Sequence, residues 1–184
     1  MKRRYVLIGG AALLSGCASA QVRSWQIAAL PGQARGGAGQ RIGVRSIGLP
    51  GALNQSGVPK SGGAYAAEAF ANDQWAAPLA QLLQTAMVQD LAQRLPGDNV
   101  LADGGAIGAA ADLLVEIQVL QFAPDAAGKV TLSAQLATRP AKQQQWQLQS
   151  FTATAPGGAT AQAIAAAMSS LWGQAADRVA EMLS

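Results

Sequence analysis

Among the 184 residues there is one cysteine, Cys17, and no histidine. A lone thiol can serve as an acceptor for a covalent group, but it cannot close an intrachain disulfide. Without histidine the chain lacks the side chain most used for proton transfer and metal ligation near neutral pH, and Ser/His/Asp chemistry is excluded. With Cys17 occupied, thiol catalysis and Cys/His zinc sites go too. Only carboxylates remain as candidate acids and bases, among them three glutamates, Glu68, Glu116 and Glu181. Asp112 and Glu116 lie four apart in a strand-like run, on one face and about 13 Å from each other. Glycosidase pairs stand roughly 5–9.5 Å apart, so this spacing does not fit. No catalytic residue, metal or cofactor is expected.

The surroundings of Cys17 say what its thiol is for. Lys2, Arg3 and Arg4 precede an apolar run from Tyr5 to Leu14, the order of a secretory signal. That run falls short of the roughly 20 residues a spanning helix needs. Leu14-Ser15-Gly16-Cys17 resembles the bacterial lipobox, in which the cysteine sulfur is acylated and the chain is cut just before it. Residues 1–16 are therefore expected to be a signal peptide, and 17–23 a lipidated N-terminus and short tether. Each buried CH₂ contributes about 0.8 kcal/mol, so two or three acyl chains give stable anchoring. Ala18 and Ser19 follow, with no Asp beside the lipidated residue. By resemblance to lipoprotein sorting in enteric bacteria, this favours the periplasmic side of the outer membrane.

Thirteen Lys and Arg stand against ten Asp and Glu. Three of the basic residues fall in the signal, so a chain starting at Cys17 carries no formal net charge. Phosphate-backbone binding needs a basic field, and no nucleic-acid partner is expected.

The remaining sequence, 24–184, reads as one domain. Trp25, Ile27 and Ala29 alternate as a short strand, followed by the glycine-rich segment 31–40, expected to be a flexible surface loop. Ile42 and Val44 mark a strand closed by Pro50. Residues 51–63 are rich in turn formers, and 64–70 offers a weak strand. A helix is predicted over 70–97, with Asn72 and Asp73 as N-cap candidates and Pro78 in its first turn. Leu79, Leu83, Met87, Leu91 and Leu95 form its apolar row.

A strand at 99–102 completes a strand–helix–strand unit, which favours a parallel pair. Leu113–Val119 and Val130–Leu136 alternate on either side of a PDAAG turn and should form an antiparallel hairpin. In 143–155, Trp146 and Leu148 share one phase while Phe151 and Ala153 share the other. A bulge near Gln149–Ser150 would reconcile them. A second helix is predicted from about Thr160, with Ile164, Met168, Leu171, Trp172, Ala175 and Val179 on one stripe. The fold class is α/β: a mixed parallel and antiparallel sheet of about five to seven strands with two amphipathic helices packed on it.

At RIGVRSIGLPGAL (41–53) and FANDQWAAPLAQLLQTAMVQDLAQRLP (70–96), the chain resembles the PqiC-like family of ABC-type transport auxiliary lipoproteins. Leu49, Pro50, Trp75, Pro78 and Leu79 carry the likeness. Where the family has an arginine before the tryptophan this chain has Gln74, and Lys60 stands near a second family arginine. The resemblance implies a non-enzymatic subunit that docks a periplasmic MCE-domain protein and its ABC transporter at the outer membrane, in some members as a homo-oligomeric ring. The competing readings are a structural envelope lipoprotein without a transport role, and a hydrolase whose carboxylates are brought together by folding.

Overall fold

The computed structural model describes residues 21–62, 68–104 and 110–184. Among these residues eight strands and two α-helices follow one another: β1 (Arg23–Trp25), β2 (Arg41–Val44), β3 (Gly57–Lys60), β4 (Glu68–Trp75), α1 (Leu79–Arg94), β5 (Asn99–Ala102), β6 (Leu113–Pro124), β7 (Lys129–Pro140), β8 (Gln147–Pro156) and α2 (Ala161–Leu183). The α/β class with two helices holds. The strands divide into two mixed sheets, ordered β1-β4-β3 and β5-β2-β6-β7-β8.

The three-stranded sheet is built from segments whose sequence reads otherwise. Residues 70–75 belong to β4 and not to the helix, so Asn72 and Asp73 cap nothing. Asp73 instead accepts from Trp25 Nε1 at 2.8 Å and from Arg23 at 2.9 Å, fastening β1 to β4. Pro78 is the N-cap residue of α1, without a side-chain bond. The turn-rich stretch 51–63 also hides β3, which pairs antiparallel with β4 across a register shift. The weak strand expected at 64–70 falls partly outside the described residues and partly in β4.

In the larger sheet the periodicities held. β2 and β5 pair in parallel across α1, and β6 and β7 form the expected hairpin. Asp125 closes its turn by accepting from the backbone N–H of Ala127 and Lys129, both at 2.9 Å. Gly128 there has φ +77, a left-handed conformation that costs glycine nothing.

The bulge lies elsewhere than the sequence suggests. β8 runs against β7 in unbroken register, with Phe151, Ala153 and Ala155 turned inward and Leu148 left 74% exposed. The irregularity is in β6, where Leu120 is skipped between Val119 and Gln121. That skip changes the phase and delivers Phe122 to the core.

The central element is α2, capped by Thr160 Oγ1 accepting from the Ala163 N–H at 3.2 Å. It packs on α1, on β7 and β8 of one sheet, and on β3 of the other. Its predicted stripe is the core: Trp172 is fully buried, stacks on Phe122 at 6.1 Å, and donates Nε1 to the Leu83 carbonyl of α1 at 2.9 Å. All five residues of the α1 row are buried as well. Among the described residues no helix is long and apolar enough to cross a membrane.

Candidate functional site

Cys17 and the lipobox residues Leu14, Ser15 and Gly16 lie outside the described residues. The five motif residues split by burial. Trp75 is 5% exposed at the end of β4, where its N–H donates to the Ser56 carbonyl at 2.7 Å. Leu79 joins it in the same apolar cluster, and Leu49 packs half-buried against that cluster. Pro50 precedes a single 3₁₀ turn at Gly51–Leu53, and Pro78 is exposed. Gln74 is exposed, and Lys60 is paired with Glu68 at 2.9 Å.

Asp112 and Glu116 are each paired with a cation on β2 or just beyond it. Asp112 meets Arg41 at 3.0 Å, and Glu116 meets Arg45 at 2.6 Å. The Arg41 guanidinium and backbone N–H hold the Asp112 carboxyl at about 2, against an ordinary 3.8. A group so acidic stays ionised and is a poor proton donor near neutral pH. The described residues contain no group of three or more His, Cys, Asp or Glu able to hold a metal.

Two features were not read from the sequence. The first is a buried polar knot. Arg94, 1% exposed, donates to Asp177 Oδ1 at 2.6 Å, to the carbonyls of Leu30, Asp90 and Gly173 at 3.0–3.1 Å, and to Asp90 Oδ1 at 3.4 Å. Asp90 in turn accepts from the Leu30 N–H at 2.7 Å, and its other oxygen is buried without a partner. Burial raises the Asp90 carboxyl above its ordinary range. The glycine-rich segment 31–40 is the surface loop expected, but it is pinned rather than free: the Arg35 N–H donates to the Arg94 carbonyl and its side chain pairs with Glu181. A Cβ on Gly32 would stand 2.2 Å from the Arg94 guanidinium carbon, and one on Gly37 would stand 2.8 Å from Gly97. The available signal was Asp90 and Arg94 at i,i+4, flanking Leu91 within the apolar row.

The second is β8, a strand of ten residues at the edge of its sheet, paired with β7 alone among the described residues. No charged residue occurs between Lys142 and Asp177, so neither β8 nor its flanks carry the lysines or acids that usually guard an edge. No bulge interrupts it. Along such an edge every second residue turns its N–H and C=O away from the sheet. Its outer face carries Leu148, Ser150, Thr152 and Thr154, all exposed. Beside them on β7 lie Gln135, Ser133 and Thr131. This face shares the charge depletion of an interface centre, though not its aromatic residues. The arrangement can bind an extended backbone by adding a strand.

Residues 25–180 match the family model of the ABC-type transport auxiliary lipoprotein component. No curated protein matches the chain. Two solved structures share the fold. One is an uncharacterised protein at 20% identity and TM-score 0.75, covering 90% of this chain and 100% of its own. The other is a Xanthomonas campestris protein of the family model DUF330, at 17% identity and TM-score 0.70, covering 89% of this chain and 95% of its own.

Proposed function

Because this chain belongs to the ABC-type transport auxiliary lipoprotein family, we propose that it is the non-enzymatic docking subunit of an MCE-type lipid transport system, held at the periplasmic side of the outer membrane by acyl chains on Cys17. The open, uncharged edge of β8 is the observation that carries the reading, since it presents backbone groups suited to a protein partner. The periplasmic MCE-domain protein is that partner, and the ABC transporter is reached through it. Assembly into a homo-oligomeric ring would multiply the docking edges. The carboxylates favour this reading over hydrolysis: Asp112 and Glu116 are each paired with an arginine, and Asp90 and Asp177, which folding brings together, share the buried Arg94.

Crosslinking pull-down from membranes tests it. The wild-type chain should recover an MCE-domain protein and ABC components. Cys17→Ser should lose palmitate labelling and remain an unprocessed precursor. Recovery of neither component, together with an intact permeability barrier when the gene is deleted, would sink the transport reading.

A further inference from the structure

At the end of the molecule where α2 finishes, the start of β6, the end of β7 and the loop into β8 enclose a cleft of about 590 Å³. That lies within the range of small-ligand sites, roughly 300–1,000 Å³. We propose that this cleft binds a neutral saccharide.

The lining states the chemistry. Four glutamines, Gln40, Gln143, Gln145 and Gln147, stand around Trp146, with Met182 and Leu183 among the apolar lining residues. A carboxamide both donates and accepts, which matches hydroxyl and acetamido groups that do the same. An indole beside apolar side chains suits the C–H face of a pyranose ring. No Asp or Glu lines the cleft, so a cation has no counter-charge there. The one charge is Arg139: its Nη1 donates to the carbonyls of Pro140, Ala141 and Gln143, while its buried Nε has no partner. A long acyl chain would leave the amides unpaired, at a cost of about 1–3 kcal/mol for each group buried.

The same arginine organises the site. Its guanidinium carbon lies 4.7 Å from the Trp146 ring centre, a cation–π contact that fixes the ring. The carbonyls it gathers fix the loop that carries the glutamines. Arg139 is thus a positioning residue, and the cleft is preformed before a ligand arrives.

Such a sugar could come from the cell-wall glycan strand or from a lipid's saccharide headgroup, and the experiment separates them. The full chain is extracted in a detergent without a sugar headgroup and titrated calorimetrically with chitotetraose, a β-1,4-linked N-acetylglucosamine tetramer. In a parallel arm it is mixed with vesicles of a glycolipid, and with vesicles of the same lipid lacking the sugar. A dissociation constant of about 0.1–1 mM for chitotetraose, weakened about tenfold by Trp146→Ala or Gln147→Leu, supports a glycan-strand ligand. Binding only to the glycolipid, with the same dependence on Trp146, supports a headgroup ligand. A melting temperature unchanged in Trp146→Ala would show that the ring serves the ligand and not the core. The proposal is overturned if neither sugar binds, if Trp146→Ala leaves binding unchanged, or if sugar-free vesicles bind equally well.

Discussion

Arg94 reaches five acceptors from a position 1% exposed, while β8 finds strand partners on one side only. Both regions hold strong polar groups next to an apolar core, and they treat them in opposite ways. Around Arg94 the chain supplies partners from the segment before β2, from α1 and from α2. Those contacts close the molecule on itself, with three elements distant in sequence meeting at one side chain. Along the outer side of β8 the described residues supply none, and that side of the ladder is left open. The difference teaches where each kind of order is used: charge buried to fix the interior, and charge withheld where a neighbour can add on.

The largest effect should come from breaking the closed region. Arg94→Met leaves Asp90 buried beside Asp177 without its cation, and losing one partner of a buried pair costs about 3–5 kcal/mol. Thermal or urea unfolding should show this loss, and it should be partly restored in the double variant Asp90→Leu, Arg94→Met, which buries no orphan charge. A single variant that melts like wild type would mean the knot is not what joins the segment before β2 to the helices.

The open region should respond the other way. Thr152→Lys places a charge on the outer face of the edge strand, a device natural sheets use to prevent pairing. Surface substitutions of this kind usually stay within about 0.5 kcal/mol, so the melting transition should hardly move. Recovery of the proposed MCE-domain partner in the crosslinking pull-down should fall sharply. If stability drops while capture persists, β8 belongs with the interior and the comparison collapses.

What the sequence made legible follows from this division. The row Leu79, Leu83, Met87, Leu91 and Leu95 and the stripe through Trp172 could be read because burial imposes a period on each helix. The β6–β7 hairpin was legible for the same reason at period two. β3 and β4 were not, because their burial is set by pairing in a small sheet and not by alternation. Asp73 looked like a helix cap, since nothing local reveals that Arg23 and Trp25 will reach it across fifty residues of chain. Leu148 misled in the opposite sense: an apolar residue in strand phase invites burial, and it lies 74% exposed on the outer face of β8. Trp75 and Leu79 are buried and Leu49 packs half-buried against them, while the edge proposed for docking carries no motif at all.

The smallest effect belongs to Asp112 and Arg41, a pair that is neither closed in nor left open. Two Arg41 side-chain nitrogens reach the carboxylate at 3.0 and 3.1 Å, and the Arg41 N–H reaches it at 3.0 Å. They hold the carboxyl at about 2, below the roughly 3.9 of an unfolded chain. A carboxyl depressed in the folded state contributes stability above the unfolded value, and that contribution is lost as pH falls through the folded one. Both side chains are nearly half exposed, at 49% and 45%, so water and salt screen most of the attraction. Asp112→Asn should therefore lower the melting temperature slightly near neutral pH. The difference should narrow below about pH 4 and close near pH 2. It should also shrink in about 1 M salt, where screening acts over about 3 Å. Arg94→Met should keep its deficit in salt, because the charge it orphans, Asp90, is shut away from solvent. If both variants respond to salt alike, the knot is wetter than its burial implies and the contrast with β8 is one of degree.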